Sequence, residues 1–219
     1  MEGYSLWQMY VAGGFFMHLI LGCLLIGLGL GVERFLTLKR ATIDTRQFFE
    51  RIRKVLSEAG YQAALELCKK TPGPVAAIFH AGLQRAPRGV EQVEKAIMNI
   101  AAVEMAALKK NMIWLTLLVT LAPLFGFIGA AQRLLMTFRA VEQTNTVSPA
   151  LVAHGFVAAL ITILFGLIVA LLVKTAHNFF TNHVEELVND MEESSAELID
   201  LLVEMEFQTK IPVNQIGQA

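Results

Sequence analysis

Ionisable side chains are the natural starting point for chemistry, and their placement here is uneven. No Asp, Glu, Lys or Arg occurs between Gly13 and Val32, between Asn111 and Gln132, or between Gln143 and Val173. Among the groups inside those stretches that can move a proton are His18, His154, and the hydroxyls of Thr116, Thr120 and Thr162. An ionisable group in a bilayer costs a few kcal/mol or more, so each one is a functional candidate by default. His18 and His154 both fall near stretch ends, where a hydrated interfacial histidine is the simpler reading. His177 and His183 are six apart, on different helix faces, which excludes a metal pair. No HExxH, P-loop, GxSxG or GxGxxG occurs, and no nucleophile has a base at helical spacing. The sequence therefore offers no catalytic residue, metal site or cofactor site, and no enzyme is expected. Arg133 follows Lys110 by 23 residues, roughly 35 Å of helix. Its guanidinium either snorkels to the far headgroups or faces the axis of an oligomer, where a ring of arginines opposes cations.

The elements that must position these groups follow from composition. The chain has 219 residues, 55% hydrophobic and 17% charged, against roughly a quarter charged in soluble domains. Each charge-free stretch is long enough for a helix to cross about 30 Å of hydrocarbon. An integral membrane protein is expected, with transmembrane helices at residues 13–34, 111–136 and 151–174. Net charge is -1, which implies no strong preference for polyanions, and the apolar composition excludes a nucleic-acid-binding domain as the main reading. Cys23 and Cys68 lack CxxC spacing and read as free buried thiols. Residues 1–12 carry no Lys or Arg, so the first span lacks a signal-peptide n-region and is expected to be retained. Arg34, Lys39 and Arg40, Lys109 and Lys110, and Lys174 flank the spans on one side, whereas the 137–150 link holds only Arg139. The positive-inside rule then places residues 35–110 and 175–219 in the cytoplasm, with residues 1–12 and 137–150 outside.

The 35–110 segment reads as helical. Phe48, Phe49, Ile52, Val55 and Leu56 recur at helical spacing over Thr45–Ala59, with Gly60 as a stop. Two shorter helices, Tyr61–Lys70 and Pro74–Gln84, flank the turn Thr71-Pro72-Gly73-Pro74. No Pro or Gly interrupts Val90 to Ala122, which predicts one helix running into the second span, its packed stripe Val93, Ile97, Ile100 and Val103. The third span continues as an amphipathic helix over Asn178–Met205, with Val184, Leu187, Met191, Leu198 and Leu202 on one face. Gln208–Ala219 reads as a loose tail. The expected fold is all-α: three transmembrane helices, the second and third extending into a cytoplasmic helical bundle.

Small residues mark the second and third spans. Ala122, Gly126, Gly129, Ala130 and Ala131 lie in one, and Ala158, Ala159, Gly166 and Ala170 in the other. In lipid such residues let helix backbones approach closely. The runs Glu33-Arg34-Phe35-Leu36, Ala122-Pro123-Leu124-Phe125-Gly126-Phe127-Ile128-Gly129 and Gly166-Leu167-Ile168-Val169-Ala170, with His177-Asn178 beyond, resemble the MotA/TolQ/ExbB proton channel family. The TolQ/ExbB branch is the most similar, over nearly the whole chain.

That resemblance implies a homo-oligomer, a pentamer, in the lipid of the bacterial inner membrane. Its second and third spans surround a one-span ExbD/TolR-like partner whose intramembrane aspartate carries protons. It also implies pore-lining positions Gly126, Gly129, Ala130, Arg133, Ala158, Thr162, Ile163 and Gly166. Several depart from the family pattern: Ala130 and Ile163 replace threonines, Ala158 a glutamate, Arg133 a glycine and Leu172 a proline. Thr162 alone keeps a hydroxyl there. Two readings follow, an energy-transducing proton-channel subunit, or a non-conducting or redesigned pentameric scaffold whose apolar core holds lipid. A solute transporter is disfavoured, because three spans without inverted repeats offer no midplane site.

Overall fold

A computed structural model describes residues 10, 11, 13–144 and 148–210. Among the described residues all regular structure is helical: α1 (Phe15–Ala41), α2 (Thr45–Glu58), α3 (Tyr61–Lys70), α4 (Pro74–Arg85), a 3₁₀ turn (Ala86–Arg88), α5 (Val90–Lys109), α6 (Met112–Thr144) and α7 (Pro149–Lys210). Three helical stretches are long and apolar enough to cross a membrane. The chain divides into two compact units. One joins the residues up to Arg34 with Asn111–Thr181; the other joins Phe35–Lys110 with the residues from Asn182 onward.

The second unit is built like a soluble bundle. Asp44 caps α2 by accepting a 2.9 Å hydrogen bond from the Gln47 amide, a contribution of roughly 1 kcal/mol. Pro74 begins α4 at a position where the missing amide hydrogen costs nothing. Phe48, Ile52 and Leu56 then turn inward from α2, and the Phe48 and Phe49 rings lie 5.5 and 6.1 Å from Phe79 of α4. A methyl placed on Gly82 would lie 3.1 Å from both Ile97 and Leu198 side chains, so α4, α5 and α7 meet there. Val184, Leu187, Met191 and Leu198 are all buried, as the amphipathic pattern of α7 requires.

Several expectations need revision. Helices α5 and α6 do not form one rod: Lys110 is extended (φ -53, ψ 143) and Asn111 is left-handed at φ 63. Asparagine tolerates that region better than most residues. The stripe on α5 also fades after Ile97, since Ile100 is half-buried and Val103 is 62% exposed. Helix α6 runs on through Thr144, into the segment expected to be a link. Gln208–Lys210 belongs to α7, while the rest of the expected tail lies outside the described residues, as do most of residues 1–12. Helices α1 and α7 do continue unbroken past their apolar stretches, to Ala41 and Lys210.

Two outcomes follow for the second unit. Phe79 is fully buried among aromatic neighbours, so Phe79→Ala should lower stability by about 3–5 kcal/mol in denaturant unfolding of the full chain. Burial pushes the Cys68 thiol from its ordinary 9.0 up to about 12. It should resist iodoacetamide near neutral pH in the folded chain and react on unfolding. The unfolded chain also releases that proton first. Stability contributed by Cys68 is therefore complete below pH 9 and declines as pH rises toward about 12, where the folded thiol ionises.

Candidate functional site

The eight positions singled out by resemblance lie where α6 and α7 run antiparallel at close range. A methyl added at Gly166 would stand 2.7 Å from the Ala122 carbonyl oxygen and 3.1 Å from the Gly126 Cα. One added at Gly126 would stand 3.1 Å from the Thr162 carbonyl oxygen and 3.3 Å from the Ile163 Cα. No side chain fits between these backbones, so glycine is what permits the crossing. Pro123 sits inside α6 one turn from Gly126. Its ring deprives the Val119 carbonyl of a helix partner.

Burial separates the eight positions. Gly126, Gly129, Ala130, Ala158, Thr162 and Gly166 are buried within the single chain. Arg133 and Ile163 are half-exposed. A methyl at Gly129 would press on both Phe16 of α1 and Thr162 of α7 at 2.8 Å, so three helices meet at that level. The Thr162 hydroxyl donates to the Ala158 carbonyl oxygen at 2.9 Å. It is satisfied by its own helix and wholly buried.

Titratable groups gather at the two ends of the seam. At one end the Arg133 guanidinium reaches the start of α1. Its Nη2 donates to the Val11 carbonyl oxygen at 3.5 Å and occupies the space over Gly14, where any side chain would collide with it. Gly14 has φ +65, a second reason for glycine there. Arg133, Thr137, His154 and Ala158 line a pocket of about 250 Å³ beside it. His154 is exposed. His18, also exposed, has its Nδ1 3.2 Å from the Gly14 carbonyl oxygen, and its ring packs edge-on against Tyr10.

At the other end, Thr116 Oγ1 lies 2.9 Å from His177 Nε2. Nearby in the fold, Glu33 pairs with the buried Arg34 at 3.2 Å and accepts from Asn111 Nδ2 at 3.1 Å. Sequence reasoning treated Thr116 and His177 separately. The signal that unites them is register: ten residues back from Gly126 on α6 corresponds to eleven forward from Gly166 on α7. Antiparallel helices anchored at those glycines must bring the two together. Among the described residues no cluster of three or more His, Cys, Asp or Glu is arranged to hold a metal. The seam is apolar, with no carboxylate between Met112 and Gln132 or between Pro149 and Val173, and polar groups lie at each end.

The seam makes a graded test. Gly166→Val forces a side chain into the Ala122 backbone and should destabilise the chain by about 1–3 kcal/mol or more, seen as a lower midpoint of thermal unfolding in detergent. Gly22→Ala meets nothing within 4 Å. It should be neutral or stabilising by a few tenths to about 1 kcal/mol.

Comparison with known proteins supplies the context for this geometry. The profile of the MotA/TolQ/ExbB proton channel family matches residues 70–193, which takes in the α6–α7 seam and much of the second unit. A protein of Methanothermobacter thermautotrophicus, named as a biopolymer transport protein ExbB homolog, is 26% identical over 186 residues. That match covers 84% of this chain and 66% of the archaeal protein. A family match over more than half the chain, joined to three apolar helices and a close-packed second and third span, fixes the assignment: this multi-pass membrane protein belongs to the MotA/TolQ/ExbB proton channel family, whose members are channels and not enzymes.

Proposed function

We propose that the chain is the channel-forming subunit of an ExbB/TolQ-like energy transducer in the cytoplasmic membrane of a prokaryotic cell. Copies of it assemble, as a pentamer by family analogy, around the single spans of an ExbD/TolR-type partner. The observation that carries this reading is the missing acid. The second and third charge-free stretches contain no carboxylate, so a proton relay through them requires an acid from another chain. A partner aspartate supplies a carboxyl group that takes up a proton on one side and releases it on the other. The Lys and Arg asymmetry supports an orientation with residues 35–110 and 175–219 in the cytoplasm.

In this reading the seam has two parts. Gly126, Gly129, Ala130, Ala158, Thr162 and Gly166, buried in the single chain, set the spacing of α6 and α7 behind the lumen wall. Ile163 and Arg133, which stay half-exposed, are the members of the set that face it. A second reading is favoured by one observation: the only hydroxyl in the set is closed onto the Ala158 carbonyl. A lumen with isoleucine at 163 and no free hydroxyl from this set offers water little to bind. The same scaffold would then be non-conducting, its core filled by lipid.

Purification in gentle detergent should yield an oligomer carrying a one-span protein with an intramembrane aspartate, identified by mass spectrometry. In liposomes the pair should pass protons down a pH gradient, and Ile163→Thr should raise that flux several-fold only with the partner present. A monomer without a partner sinks the proposal. A stable oligomer that is silent with its partner, before and after Ile163→Thr, selects the lipid-filled scaffold.

A further inference from the structure

A cavity of about 700 Å³ opens in the second unit where three helices end. Ala41 closes α1, Lys69 stands in the last turn of α3 and Leu108 in the last turn of α5, and all three line the cavity. Gly73 and Pro74, at the start of α4, complete that wall. A methyl on Gly73 would lie 3.0 Å from the Ala41 carbonyl oxygen, so the turn into α4 is held against α1 by backbone contact.

Each of these helices ends in a basic pair: Lys39-Arg40, Lys69-Lys70 and Lys109-Lys110. A cation in a last turn complements the helix dipole, which accounts for each pair by itself but not for their convergence on one cavity. Arg40 and Lys69 line it directly, with His80 and Gln84 of α4 as further polar groups and Glu104 of α5 as the carboxylate. Among the described residues neither Arg40 nor Lys69 has an ion-pair or hydrogen-bond partner. This holds although Glu66 precedes Lys69 by three positions on the same helix. Elsewhere in the unit comparable cations are engaged, Lys95 with Glu91 at 2.6 Å and Arg51 with Gln47 at 3.1 Å. Two unengaged cations against one acid leave the lining positive.

We propose that this cavity binds a phosphate ester, and that a phospholipid headgroup is the source its position favours. The Arg40 guanidinium presents a planar fork that pairs with two phosphate oxygens, and the Lys69 ammonium adds a point charge. The Gln84 amide donates to a third oxygen, while the Glu104 carboxylate accepts from a hydroxyl on the esterified group. Position along α1 supports the lipid. Phe35 and Leu36 are apolar and exposed, and Arg40 follows Leu36 by four residues, roughly 6 Å of helix. The headgroup layer outside the hydrocarbon is about 5–7 Å deep. A soluble phosphate ester offers the same chemistry. The site goes beyond the channel reading and stands without it.

The test uses the full chain purified in detergent. Native mass spectrometry during titration with dioleoylphosphatidylglycerol should show a retained lipid, and Arg40→Gln combined with Lys69→Gln should weaken that binding roughly ten- to thirtyfold. Arg51→Gln combined with Lys54→Gln removes the same charge from α2 and should leave binding unchanged. Gln84→Glu brings a second carboxylate into the lining and should also weaken it. These side chains are exposed, so each variant should unfold at the wild-type temperature. Calorimetry of the lipid-free chain with sn-glycerol 3-phosphate separates the sources. Lipid retention without heat from the soluble ester assigns the site to a headgroup; heat that disappears in the Arg40 and Lys69 variant assigns it to a soluble ester. The proposal is overturned when neither probe binds, when that variant binds as wild type does, or when the α2 control loses as much.

Discussion

The rest of the membrane unit depends on one steric constraint: at Gly126 and Gly166 two helix backbones come closer than any side chain allows. In lipid no hydrophobic force pushes apolar helices together, so contact must come from packing at short range. Glycine supplies that range, and alanines on either side extend it. Once the crossing is fixed, the register of everything else along α6 and α7 is fixed too. Thr162 is pressed beside Gly129 and Phe16, and Thr116 beside His177. The helix pair behaves as a ruler on which the polar groups are marks.

The same constraint explains why the chemistry sits at the ends. A seam packed to backbone distance has no space for a hydrated side chain, and its one hydroxyl turns back onto its own helix. Arg133 answers burial by extending to the start of α1, where a backbone carbonyl is available and glycine leaves space. This is snorkelling in effect, with a protein carbonyl among the partners in place of headgroups alone. The opposite mouth holds an imidazole against a hydroxyl.

Much of the fold was legible because the governing patterns are local. Charge-free stretches of sufficient length mark the spans, and Pro and Gly punctuate the short helices, whose starts at Thr45, Tyr61 and Pro74 match the structure. The break at Lys110–Asn111 was not legible, since neither residue forbids helix and the left-handed asparagine makes its hydrogen bond to Glu33, far away in sequence. Val103 was misjudged because a helical stripe shows which face is apolar but not how far a neighbour covers it. At the candidate site the small residues were visible, but their partners were not. Whether glycine opens onto a lumen or admits another backbone is decided by distance, and periodicity carries no distance. The Thr116–His177 contact lay one inference deeper: it required the glycine crossing first, and then counting outward from it.

The discontinuity at Asn111 makes the two seam helices unlike in their backbones. Helix α7 carries one unbroken hydrogen-bond ladder for 62 residues, so its amides past the first turn have acceptors within the helix. Helix α6 begins afresh after two non-helical residues, and its first amides must find acceptors outside that ladder. Of the two helices forming the seam, one hides its amino-terminal end far from Asn111 and the other opens there.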